Sequence, residues 1–172
     1  MENRVKALLE QAEQTDASLA KIRDISSREA ADLEIGAPRF WESLKNALIQ
    51  GRDALNATPD ITKRVSLIDQ EVTGENGFGI ERDYAPRIGV VLIYSVDHLK
   101  HHTITYRYHL RENGARNEYP SKWSARILVA EDGEPYLPEG GTGRQLAAGD
   151  VATVLLGPLV SGRVRDIHNR QA

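Results

Sequence analysis

The spacing of apolar residues changes near residue 63, so one class of regular structure cannot account for the whole chain. Before that point Val5, Leu8, Ala12, Leu19, Ile22 and Leu33 occupy six of the nine positions 5, 8, 12, 15, 19, 22, 26, 29 and 33. That 3–4 spacing is the period of one helical face. After it the period falls to two, clearest in Thr103–Leu110, and Val65–Val72, Phe78–Tyr84, Ile88–Val96 and Trp123–Ala130 read as further strand runs, Val90–Ile93 being continuously apolar. Alternation of this kind marks strands with one buried face. Asn76-Gly77, Asn113-Gly114 and Asp132-Gly133 punctuate the runs, and such dipeptides favour tight hairpin turns. A further turn is expected at Asp97–Lys100. Hairpins join antiparallel neighbours, which disfavours a parallel, doubly wound sheet.

The helical third contains stop and start signals. Ser26 followed by Glu29 has capping-box spacing, predicting a new helix near Ser27. Gly36 reads as its C-terminal stop and Pro38 as the first-turn proline of the next helix. That helix, about 38–57, carries Trp41, Leu44, Leu48 and Leu55 in one stripe, with Phe40 beside it. Near the other end, Val151, Val154, Leu155, Pro158 and Leu159 repeat at helical spacing, with Asp150 in the first turn. Pro158 is expected at or just past the end of that helix.

The expected fold is therefore α+β: N-terminal helices, an antiparallel β-meander of four to five strands and a C-terminal helix, the helices packed on one sheet face. Residues 1–35 read as an N-terminal helical segment able to project as an arm, and 36–172 as a single α+β domain. A chain of 172 residues, 40% hydrophobic and 27% charged, can bury a core without staples. With no cysteine there is no disulfide, thiolate nucleophile or cysteine-bearing zinc site. The start, "MENRVKALLEQAEQ", is charged throughout, unlike a secretory leader. No apolar run approaches the ~20 residues of a membrane span. The expected location is cytoplasmic, with no membrane contact.

Four of the five histidines lie between His98 and His109. A metal needs three or four ligands converging on one point. His98 and His101 flank a turn, while His101 and His109 would stand about 26 Å apart along one strand. No metal site and no cofactor are expected. Nor is there a G-x-S-x-G elbow or a recognisable triad, so no catalytic residue is assigned.

Strand parity sorts the neighbouring residues. Ile104, Tyr106, Tyr108 and Leu110 share one face with Trp123, Ala125, Ile127 and Val129; Thr103, Thr105, Arg107 and His109 share the other with Ser124 and Arg126. The aromatic face should meet the helices. Residues 98–126 hold six basic side chains against two acidic ones, although the chain as a whole has net charge −3.

These residues support three functional expectations. Val5, Leu8, Leu19 and Ile22 supply more apolar helix than one sheet face needs, pointing to self-association or docking on another protein. His102, Tyr106, Tyr108 and Trp123 could line a small-ligand cavity between sheet and helices. Arg107, His109 and Arg126 could form an open anion-binding face. Nucleic acid is a poor fit there, because sheet-face readers display aromatics for stacking, and these point the other way. Two glycine-rich stretches, "GENGFG" and "EGGTGRQL", lack the phosphate-loop pattern; in the second, backbone amides and Arg144 could cradle an anion.

Overall fold

The computed structural model describes residues 2–59, 64–113, 115–118 and 122–163; the side chains of residues 2–10, 12, 112, 116 and 118 lie outside that description. The first element, α1, is a single helix spanning Glu2–Asn56. At 1.5 Å per residue it is about 80 Å long, more than twice the width of a small domain. It cannot lie wholly on one sheet, and residues 13–32 are exposed on every side.

The helix start near Ser27 and the break at Gly36–Pro38 do not occur. Both signals fall inside α1, with Pro38 in its interior. Pro38 removes the hydrogen bond to the Glu34 carbonyl, and a mid-helix proline costs about 3 kcal/mol. Burial on either side of the proline offsets that cost. Ala37, Phe40, Trp41, Leu44 and Leu48 are all buried, and each large side chain contributes about 1.5–3 kcal/mol on burial. Gly36 is buried against Pro135, where an added Cβ would meet the ring at ordinary contact distance, 3.4 Å.

The sheet is an antiparallel meander of β1 (Val65–Leu67), β2 (Gly77–Arg82), β3 (Arg87–Val96) and β4 (His102–Glu112). Both β5 (Ala115–Glu118) and β6 (Trp123–Arg126) then pair with β4: β5 beside His109–Glu112 and β6 beside Thr103–Tyr106. Next comes a smaller antiparallel ribbon: β7 (Leu128–Val129), β8 (Pro135–Pro138) and β9 (Gln145–Leu146). The run Trp123–Ala130 is therefore two strands, divided at buried Ile127, whose N–H donates to the His102 carbonyl.

Asn113 and Gly133 stand between strands as expected, Gly114 lying outside the described residues. Asn113, at φ 50°, turns β4 into β5, and Gly133, at φ 85°, lies between β7 and β8. Asn76-Gly77 differs. The link from β1 to β2 contains a one-turn helix, α2 (Gln70–Thr73), and Gly74 takes the positive φ of 82°. Gly77 already belongs to β2, where a Cβ would collide with the Thr73 backbone.

The chain ends its described part in α3 (Ala148–Ser161), closed by Gly162 in the left-handed conformation. Pro158 lies inside α3 rather than beyond it, and its carbonyl accepts the Gly162 N–H. Helices α1 and α3 pack together on one face of the sheet, and their apolar stripes form one core with Ile80, Ile88, Val90, Leu92, Ile104 and Tyr108. Gly51 permits the close approach of the two helices, because a Cβ there would overlap Leu156. Asn56 ties the end of α1 to the sheet edge. Its Oδ1 accepts the Val65 N–H and its Nδ2 donates to the Val65 carbonyl, both at 2.9 Å.

Candidate functional site

The stripe that α1 buries continues past the domain edge. Ala37, Phe40, Leu44 and Leu48 extend the spacing 19, 22, 26, 29, 33 without a change of face. Leu48 is fully buried, yet Leu19 is 46% and Ile22 61% exposed. Leu33, packed against the core edge, marks where cover ends. Sequence spacing puts Val5 and Leu8 on the same seam, and their side chains lie outside the described residues.

At the base of this arm, α1 and the turn between β3 and β4 enclose an open groove of about 840 Å³, lined in part by Glu29, Leu33, Leu99, His101 and Tyr136. Asp97 builds the turn. Its Oδ1 accepts the N–H groups of Leu99 and His101, and its Oδ2 lies 2.8 Å from His101 Nδ1. The His101 backbone donor leads in holding the Asp97 carboxyl down at about 2. Lys100, at φ 60°, donates to Glu34 at 2.8 Å and so tethers arm to turn. An exposed pair of this kind contributes little stability.

His102 also lines this groove, separate from the other aromatic candidates. Its Nδ1 lies 2.6 Å from the Tyr94 hydroxyl, and its ring stacks on Tyr94, which stacks on Trp41. Burial lowers the His102 pKa and raises that of Tyr94. Both shifts favour a neutral imidazole that accepts the tyrosine proton donor.

Tyr106, Tyr108 and Trp123 form a second cluster further along β4 and β6. Tyr106 stacks on Trp123 at 5.3 Å, and Tyr108 meets both edge-on. Tyr108 is core, only 2% exposed, with its hydroxyl donating to the Leu155 carbonyl at 3.0 Å. Of the four residues grouped as ligand contacts, His102 lines the 840 Å³ groove and Tyr106 a second cavity of about 420 Å³, to which the loop after β8 contributes Glu139, Gly140 and Thr142.

The face carrying Arg107, His109 and Arg126 is less open than parity alone suggests. His109 is 1% exposed, and Val91 and Glu81 are buried on the same side. Ile68 and Thr73 cover Gly79, so the β1–β2 link occupies part of that face. His109 Nε2 lies 2.5 Å from the Glu81 carboxylate, and Arg111 Nη1 approaches its other oxygen at 3.4 Å. An anion at His109 would have to displace a carboxylate already there. Arg107 is half-buried and Arg126 exposed. This corrects the expectation of an open basic surface. The missed signal was Gly89, whose lack of a side chain lets His109 reach Glu81.

The "EGGTGRQL" stretch forms the loop after β8 and runs into β9. Glu139, Gly140 and Thr142 line the 420 Å³ cavity, whereas the Arg144 carbonyl accepts the Glu139 N–H. Among the described residues no group of three or more histidines, aspartates and glutamates is placed to hold a metal. Nor, among them, is any helix long and apolar enough to cross a membrane. No family model, curated protein or solved structure matches the chain.

Proposed function

We propose that this protein self-associates through the projecting half of α1, arm against arm, as a non-catalytic assembly domain. The observation behind this reading is the continuous stripe: the residues that are buried beyond Gly36 are bare at Leu19 and Ile22. A long helix exposing such a seam gains stability when a second helix covers it.

Charge favours an antiparallel pair. Parallel, in-register pairing would set Thr15, Ser26 and Glu29 of the seam each against its own copy, with carboxylate facing carboxylate at Glu29. Antiparallel pairing about an axis between residues 20 and 21 sets Leu19 of one copy against Ile22 of the other, twice. The same register brings Asp16 beside Arg23 on the flank, where opposite charges select orientation.

Native mass spectrometry and sedimentation equilibrium test the reading. The expected result is a wild-type dimer of the 19.1 kDa chain and a monomeric Leu19→Lys/Ile22→Lys variant whose thermal melt still shows a cooperative core. A wild-type chain that stays monomeric up to millimolar concentration overturns it and redirects the seam to a different partner protein. A variant that remains dimeric also overturns it.

A further inference from the structure

The 420 Å³ cavity lies between the sheet, the β8–β9 ribbon and the first turns of α3. Its volume is within the roughly 300–1,000 Å³ of pockets that hold small ligands. Leu137, Leu146, Val151 and Leu155 form an apolar floor, and each is buried. Tyr106 forms one wall, held in place by its stack on Trp123. The loop from Glu139 to Gly143, with Gly141 at φ 81° and Gly143 at φ 69°, contributes Glu139, Gly140 and Thr142 to the lining. Two backbone bonds pin its ends: Glu139 N–H to the Arg144 carbonyl at 2.8 Å, and Gly143 N–H to the Glu139 carbonyl at 3.2 Å.

The polar chemistry of the lining is one-sided. Among the described residues that line the cavity, Glu139 is the only charged one, and its Oε2 accepts the Thr142 hydroxyl at 2.7 Å. No described lysine, arginine or histidine lines it. An anionic head would therefore meet a carboxylate with no cation to balance it. An ammonium group would gain a charge-assisted hydrogen bond at the rim, while an apolar body filled the floor.

We propose that this cavity is a binding site for a small amphiphilic amine, its flat apolar body lying along Tyr106 and its cationic head at Glu139. The site is independent of the arm and of self-association.

The test uses the full chain and two probes of matched body, 4-phenylbutylamine and 4-phenylbutyrate, tracked by two-dimensional amide NMR. The expected result is saturable shifts with the amine, centred on residues 139–146 and 151–155, and at least tenfold weaker binding of the carboxylate. Glu139→Gln should erase most of that preference, and Val154→Phe, which fills the cavity from α3, should abolish binding while the melt stays cooperative. Equal binding of the two probes, shifts scattered outside these segments, or undiminished binding by Val154→Phe would each overturn the proposal. Lack of saturable shifts with either probe would do so as well. Leu19→Lys/Ile22→Lys should bind the amine like wild type, which keeps failure here distinct from failure of the dimer.

Discussion

His109 reaches across β3 to Glu81, Nε2 to Oε2 at 2.5 Å, passing over Gly89 on the strand between them. The register makes this possible: Gly89 is the direct partner of both His109 on β4 and Glu81 on β2. Both polar side chains are nearly free of water contact. Removing one partner from such a buried pair leaves the other uncompensated, at a cost of about 3–5 kcal/mol. Glu81→Ala should lower the unfolding free energy by that amount in urea titrations at neutral pH. A loss no larger than that of an exposed carboxylate such as Glu42→Ala would refute the pairing.

Gly89 offers an independent check on the same relationship. A Cβ at this position would overlap the His109 ring and lie 3.1 Å from the Ile80 carbonyl. Gly89→Ala should cost about 1–3 kcal/mol, as overpacking does. In a His109→Ala background much of that cost should disappear, giving a coupling energy in a double-mutant cycle. Strict additivity would mean that the ring does not lie over Gly89.

His102 predicts a specific pH dependence. Its folded pKa is lowered from 6.5, chiefly by burial, so the unfolded chain takes up the proton first as pH falls. The stabilising contribution is fully present above pH 6.5 and is lost as the pH drops through the lower, folded value. Urea midpoints of wild type should therefore fall more steeply between neutral and mildly acid pH than those of His102→Asn. Parallel curves for the two proteins would show that His102 is not the group responsible.

Pro38 predicts a gain. Its replacement restores a helical N–H to the Glu34 carbonyl at an exposed position of α1. Part of the roughly 3 kcal/mol proline penalty is offset by the freer unfolded chain, worth about 1 kcal/mol. Pro38→Ala should raise stability by about 1–2 kcal/mol in thermal or urea unfolding. A destabilised variant would mean that the ring itself packs usefully.

Much of the architecture is legible in local pattern. The apolar run Ile88–Val96 and the alternation through Thr103–Leu110, each bounded by turn signals, predict β3 and β4, and the spacing of Val151, Val154, Leu155 and Leu159 predicts α3. The Asp97–Lys100 turn is expected from its position between them, with Asp97 Oδ1 holding it. Parity also places Tyr108 and Ile104 on the helix side, where both are buried. The exposed half of the α1 seam is visible too, from Val5 to Leu33, whereas its continuation into the buried stripe was hidden by the stop signals at Gly36 and Pro38.

The candidate cavity was only half legible. Tyr106 and the glycine-rich loop each stand out in the sequence, but nothing local says that they face one another. His102 shares strand parity with Tyr106, yet it pairs with Tyr94 and lines the other groove.

The types of the long elements, strand parity and the antiparallel sense of the sheet are written in local pattern, because periods of 2 and 3.6 are properties of neighbouring residues. The run Val65–Val72 is the exception, a strand only to Leu67 before α2. Only the assembled fold settles that α1 runs unbroken through Gly36 and Pro38, since the burial that offsets their cost lies against other elements. The same holds for Asn76-Gly77 giving way to α2, and for His109 facing a carboxylate rather than solvent. Those outcomes depend on which residues stand side by side across strands, and register is set by the packing of the whole sheet.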